Sequence, residues 1–169
     1  MLGKADRRGL TTAICIVGLF ATSADFEAAA TRPTSASSVV AEVVRLTNAE
    51  RGMRKRPRLR THPQLMRAAQ IQAEQMARAG QQAHVLPGAA YPHAEDRLAA
   101  AGYQWQSYGE NLALGQPTSA EAVRSWMRSR GHRTNIISPA FSELGVGYAV
   151  DRAGRPYYVQ VFASPLSSS

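Results

Sequence analysis

One cysteine occurs in 169 residues, Cys15, and it lies within the first thirty. Once that segment is set aside, no disulfide, thiolate metal site or cysteine nucleophile can form, so stability must come from packing. Long apolar runs are also missing. The stretch at residues 10–21 is twelve residues long, too short to cross a bilayer as a helix. The four histidines, His62, His84, His93 and His132, form no His-Glu-x-x-His or other tight ligand spacing. No Gly-x-Ser-x-Gly elbow supports a serine triad, and no internal repeat is present. Aromatic residues make up 7% of the chain and are not interleaved with its bases. Nucleic acid is therefore a poor candidate partner.

What is present suits one exported domain. The composition is 44% hydrophobic and 19% charged, as in ordinary globular chains. Lys4, Arg7 and Arg8 precede the short apolar run, and small residues follow at Thr22-Ser23-Ala24 and Ala28-Ala29-Ala30. Residues 1–30 thus read as a signal peptide with either cluster as its cleavage site, and residues 31–38 as a Ser/Thr-rich linker. The expected location is secreted, periplasmic or cell-envelope, with no transmembrane helix in the mature protein. The leader holds three bases and three acids, so its removal leaves the net charge at +8. Six bases fall within residues 51–60. They suit a solvated loop or a polyanion-binding surface.

Apolar spacing predicts a helix from residue 39, with Val39, Val43 and Leu46 inward and Gly52 as its stop. Thr61-His62-Pro63 opens a second helix whose face is Leu65, Ala69, Ala73 and Met76, ending at Gly80. A short third helix begins near Pro92 and ends at Gly102. A Gly109-Glu110-Asn111 turn leads to a short extended segment at residues 111–114. Thr118 and Glu121 have capping-box spacing at the start of a fourth helix, which Gly131 ends just before His132. Residues 145–150 and 156–162 read as strands joined by an Asp- and Gly-containing hairpin, and residues 165–169 as a polar tail. Helices first and strands last argue for an α+β layered domain rather than a doubly wound sheet.

Taken locally, Glu110 is a turn residue, and His84 and His132 are polar residues beyond helix ends. Separations of 26 and 22 residues do not bring them together. The motifs in order say more. Asn48-x-x-Arg51, a helix ending near His84, Gly109-Glu110-Asn111, Trp126-x-x-Ser129-x-x-His132 and Gly145-Val146-Gly147-Tyr148 resemble a bacterial member of the CAP superfamily. These are the cysteine-rich secretory, antigen 5 and pathogenesis-related class 1 proteins, whose domain is also called SCP. The resemblance spans residues 39–164. It implies a three-layer α-β-α sandwich with a central antiparallel sheet and a cleft lined by His84, Glu110 and His132. Some relatives bind zinc or another divalent cation in that cleft, which would make His84 and His132 metal ligands. Eukaryotic members carry a second glutamate three residues after the helix tryptophan; here that position is Ser129, and the acidic set is incomplete.

Two neutral imidazoles and one carboxylate with an open position suit zinc, and equally suit a water-filled polar cleft that requires no cofactor. Four functions are therefore open. The first is a non-enzymatic extracellular binding module for a lipid or sterol, a cell-wall polymer or a protein. The second is a metal-assisted, protease-like hydrolase with Glu110 as catalytic general base. In the third, the cleft residues are purely architectural. The fourth is polyanion binding through the basic run.

Overall fold

The computed structural model describes residues 35–166. The expected leader, the first part of the linker and the last three residues lie outside the described residues. Helix α1, Ala36–Met53, begins inside the stretch expected to be linker, because Ser35 caps it by accepting from the Ser38 N–H. There follow β1 (Arg60–Thr61), α2 (Pro63–Ala79), α3 (Ala94–Ala100), β2 (Trp105–Leu114), α4 (Ser119–Arg128), α5 (Arg130–Ile137), β3 (Glu143–Val150) and β4 (Pro156–Pro165).

The strands form one sheet in the order β1-β3-β4-β2. The three long strands pair antiparallel, and the two-residue β1 pairs parallel with β3. Because strand side chains alternate, β4 feeds two cores. Tyr157, Val159, Val161 and Ala163 pack with Leu65, Ala69, Ala73 and Met76 of α2 and Leu98 of α3. Tyr158 and Phe162 pack with Val39 and Val43 of α1 and Ala122, Val123 and Trp126 of α4. The expected α-β-α sandwich is therefore present.

The alanine face of α2 and the Gly-Val-Gly of β3 are complementary. A Cβ on Gly145 would stand 2.1 Å from the Leu65 carbonyl oxygen, and one on Gly147 would stand 2.2 Å from that of Ala69. The helix thus lies directly on the strand backbone. Beyond its pairing with β1, β3 would expose unpaired backbone groups, and α2 covers them. Met66 Sδ accepts from the Val146 N–H at 3.1 Å, while Gln70 accepts from the Tyr148 N–H and donates to the Tyr148 carbonyl, both at 3.1 Å.

Several local expectations differ from the fold. Gly52 lies within α1, which continues to Met53. The buried stripe of α1 continues from Val43 through Thr47, Asn48 and Arg51, whereas Leu46 is only half-buried. Gly109-Glu110-Asn111 is not a turn. It is the middle of β2, paired to Phe162, Val161 and Gln160 of β4. The fourth helix ends at Arg128 rather than at Gly131, and His132 belongs to a separate helix, α5. The hairpin follows expectation: Asp151 Oδ1 accepts from the Ala153 and Arg155 N–H groups, both at 2.9 Å.

Candidate functional site

The site forms at the free edge of β2. Alternation sends Tyr108, Glu110 and Leu112 toward the α2/α3 layer, and Gly109, Asn111 and Ala113 toward the α1/α4/α5 layer. Glu110 therefore meets the connection between α2 and α3, which carries His84. Buried side chains of α2 fix that connection. Gln72 donates to the Ala83 carbonyl at 2.6 Å, and Gln75 both donates to the Tyr91 carbonyl and accepts from its N–H at 3.0 Å.

Arg97 of α3 completes the arrangement. Its side chain is 1% exposed and that of Glu110 is 5% exposed. Nη2 donates to Glu110 Oε2 at 2.9 Å and to the His84 carbonyl at 3.3 Å. Nη1 donates to the Tyr91 and Pro92 carbonyls at 3.2 and 3.1 Å. The other carboxylate oxygen, Oε1, accepts from His84 Nδ1 at 2.8 Å. Both oxygens of Glu110 are thus engaged, one by a guanidinium and one by an imidazole. Beside them, the Tyr108 hydroxyl donates to Glu95. Burial, reinforced by that hydrogen bond, pushes the Tyr108 phenol up to about 12. A cavity of about 420 Å³ opens here, lined by His84, His93, Glu95, Tyr108 and Glu110.

His132 comes from the opposite layer. Asn111, fully buried, donates to the His132 carbonyl and to Gln160 Oε1, both at 3.0 Å, and accepts from Asn135 at 2.9 Å. Gln160 in turn donates to Thr47 of α1 at 2.6 Å. This buried chain holds α5 in place against the sheet. The two imidazoles shift in opposite directions. Hydrogen bonding to Glu110 raises His84 above the ordinary histidine value. Burial, with the charge of His84 adding to it, lowers His132.

The sign of each shift sets its pH window. A raised His84 stabilises the fold below about pH 6.5, and that contribution is lost as pH rises through its folded value. A lowered His132 contributes above about pH 6.5 and loses its contribution as pH falls through its folded value. In an NMR ring-proton titration, Glu110→Gln is expected to bring His84 back toward about 6.5 while His132 stays below it. An unmoved His84 would show that Glu110 is not its partner.

The remaining motif residues have structural positions. Asn48 donates to the Leu59 carbonyl at 3.1 Å and accepts from its N–H at 2.8 Å. Arg51 donates to the carbonyls of Pro57, Ile136 and Ser138 at 2.7, 2.8 and 2.9 Å. Trp126 Nε1 donates to the Leu112 carbonyl at 2.8 Å. Ser129 stands at the junction of α4 and α5, makes no side-chain cap and does not line the 420 Å³ cavity. The basic run is also partly consumed. Arg51 is buried, and the exposed Arg54 and Arg60 pair with Glu50 and Glu143, while Lys55, Arg56 and Arg58 are also exposed.

As arranged, these donors do not fit a divalent metal. Among the described residues, no three His, Cys, Asp or Glu side chains are grouped to hold one. Glu110 is committed to Arg97 and His84, and Ser129 brings no acid. Sequence reasoning missed Arg97, Gln72 and Gln75. Arg97 sits in the last turn of a short helix, where a base is ordinarily read as solvated. The two glutamines do fall on the arc of α2 that includes Ala69, Ala73 and Met76, which was a usable signal.

Comparisons agree with the motif order. A family model described as CAP, the cysteine-rich secretory protein family, matches residues 44–162. Uncharacterized protein YkwD of Bacillus subtilis is 37% identical over 116 residues, which is 69% of this chain and 44% of that one. The chain spans less than half the length of the curated relatives it matches. A crystal structure of an extracellular protein containing a SCP domain from Bacillus anthracis superposes with a TM-score of 0.69 at 27% identity, over 75% of this chain and 40% of that one. An outer surface protein of Borrelia burgdorferi shares the fold with a TM-score of 0.71 at 16% identity, over 78% of this chain and 96% of that one.

Proposed function

Because the chain belongs to the CAP, or cysteine-rich secretory protein, family, we propose that it acts outside the cytoplasm as a non-enzymatic binding module. In this reading its cleft at His84, Tyr108 and Glu110 takes an anionic cell-envelope ligand, a lipid headgroup or a cell-wall polymer. One observation carries the reading: both oxygens of Glu110 are held by neighbours, so the cleft offers fixed hydrogen-bonding groups rather than a free general base. The cavity, about 420 Å³, falls in the usual range for ligand pockets. The net charge of +8 favours anionic partners. No described helix is long and apolar enough to cross a membrane, and the Bacillus anthracis relative is described as extracellular.

The test is sedimentation of purified protein with anionic and zwitterionic vesicles and with anionic cell-wall polymer at fixed ionic strength, beside His84→Ala and Tyr108→Phe. Binding in one anionic arm, weakened at least about tenfold by either variant (about 1.4 kcal/mol), is the expected result. Equal binding by the variants would overturn the reading. So would turnover of a peptide substrate that Glu110→Gln abolishes.

A further inference from the structure

We propose that Arg97 is the resident cation of the cleft, occupying the electrostatic role of a divalent metal at Glu110 and so setting the site against metal binding. The inference is independent of which ligand the cleft takes.

The Arg97 guanidinium is 1% exposed and is fixed from three directions. It reaches Glu110 Oε2 at 2.9 Å from one nitrogen, the His84 carbonyl at 3.3 Å from the same nitrogen, and the Tyr91 and Pro92 carbonyls from the other. A guanidinium does not lose its proton in a protein, so this positive charge is permanent. A dication on Glu110 would lie next to it, and the two positive charges would repel. Arg97 cannot withdraw without releasing the connection that carries His84, since the same nitrogens hold that connection's carbonyls. The Glu110 oxygen not used by Arg97 is taken by His84 Nδ1 at 2.8 Å, which removes one imidazole nitrogen as well. What remains is an acid already neutralised and histidines without a third donor, too few for a closed zinc site. The residue present in the cleft thus performs the charge neutralisation that a bound metal would supply.

Zinc chloride titration by calorimetry, with circular dichroism melts to establish folding, tests this on wild type, His84→Ala, Arg97→Met and the Arg97→Met/His84→Ala double variant. Wild type is expected to bind zinc no more tightly than His84→Ala. Arg97→Met, with Glu110 released, is expected to bind at least about tenfold more tightly, and the double variant to lose that gain. Stoichiometric zinc binding by wild type that depends on His84 would overturn the proposal, and it does so whether or not Arg97→Met folds. A folded Arg97→Met protein with no gain would overturn it too.

Discussion

Gly147→Ala is expected to destabilise the protein by about 3 kcal/mol or more, at the upper end of what overpacking costs. The added methyl would stand 2.2 Å from the Ala69 carbonyl oxygen and 2.6 Å from the Gln70 backbone nitrogen. These are helix backbone atoms that no rotamer change can move aside. Relief requires α2 to lift off β3. That displacement also breaks the Gln70 and Met66 hydrogen bonds covering the strand edge. Gly145→Ala meets the same helix one turn earlier, at 2.1 Å from the Leu65 carbonyl, and should behave alike. Gly52→Ala is the control. Nothing lies within 4 Å of its added methyl, and even in the last turn of α1 alanine is no worse a helix former than glycine. Thermal melts of the three variants give the comparison: two large falls in Tm and one unchanged or raised value. Equal, small effects in all three would mean that α2 does not lie on the strand as described.

Glu110→Leu is expected to destabilise the fold by about 3–5 kcal/mol, the usual consequence of removing one partner of a buried ion pair. The cause is the charge left behind. Arg97 is 1% exposed, and its remaining acceptors are neutral carbonyls. Glu110→Gln should cost less, since an amide oxygen can still accept from Arg97. Glu42→Leu provides the contrast. Its pair with Arg45 has side chains 41% and 63% exposed, and such solvent-screened surface pairs contribute little to stability. Urea midpoints for the three variants separate these cases. A Glu110→Leu effect as small as that of Glu42→Leu would mean that the cleft carboxylate is not paired to Arg97.

Much of this was legible in the sequence where a period or a cap dictates structure. Leu65, Ala69, Ala73 and Met76 repeat at helical spacing, and all four are fully buried on α2. Thr118 accepts from the Glu121 N–H as its spacing anticipates. Pro63 and Gly80 bound α2 at its first turn and at a left-handed cap. The errors arose where tertiary contacts override local preference. Gly109 and Asn111 favour turns locally, yet β4 pairs with both and recruits them into a strand. Gly109 is small because α5 lies on it: an added Cβ would stand 3.0 Å from the Asn135 side chain. Gly131 resembled a helix stop, but the break comes two residues earlier at Ser129, whose N–H bonds the Ser125 and Trp126 carbonyls.

The site was half legible for a related reason. Motif order drew attention to His84 and Glu110, which are in direct contact at 2.8 Å, and to Asn111, which holds the His132 backbone. It gave no hint of Arg97. An arginine's burial depends on where loop carbonyls point, and those of Tyr91, Pro92 and His84 converge on Arg97 only once the connection between α2 and α3 has closed. The motif singled out Asn48 and Arg51 on α1, but not their burial. Asn48 and Arg51 are buried because they serve backbone groups of the following loop at Pro57 and Leu59, and, for Arg51, those of the distant Ile136 and Ser138.

The central claim is that Glu110 belongs to Arg97. A double-mutant cycle in urea denaturation with Glu110→Leu, Arg97→Met and the double variant tests it most directly. Removing both charges together should be much milder than the two single effects added. The expected coupling is about 2 kcal/mol or more in favour of the native pair. Effects that add to within about 0.5 kcal/mol would contradict the claim, and would return Glu110 to the cleft as a free carboxylate.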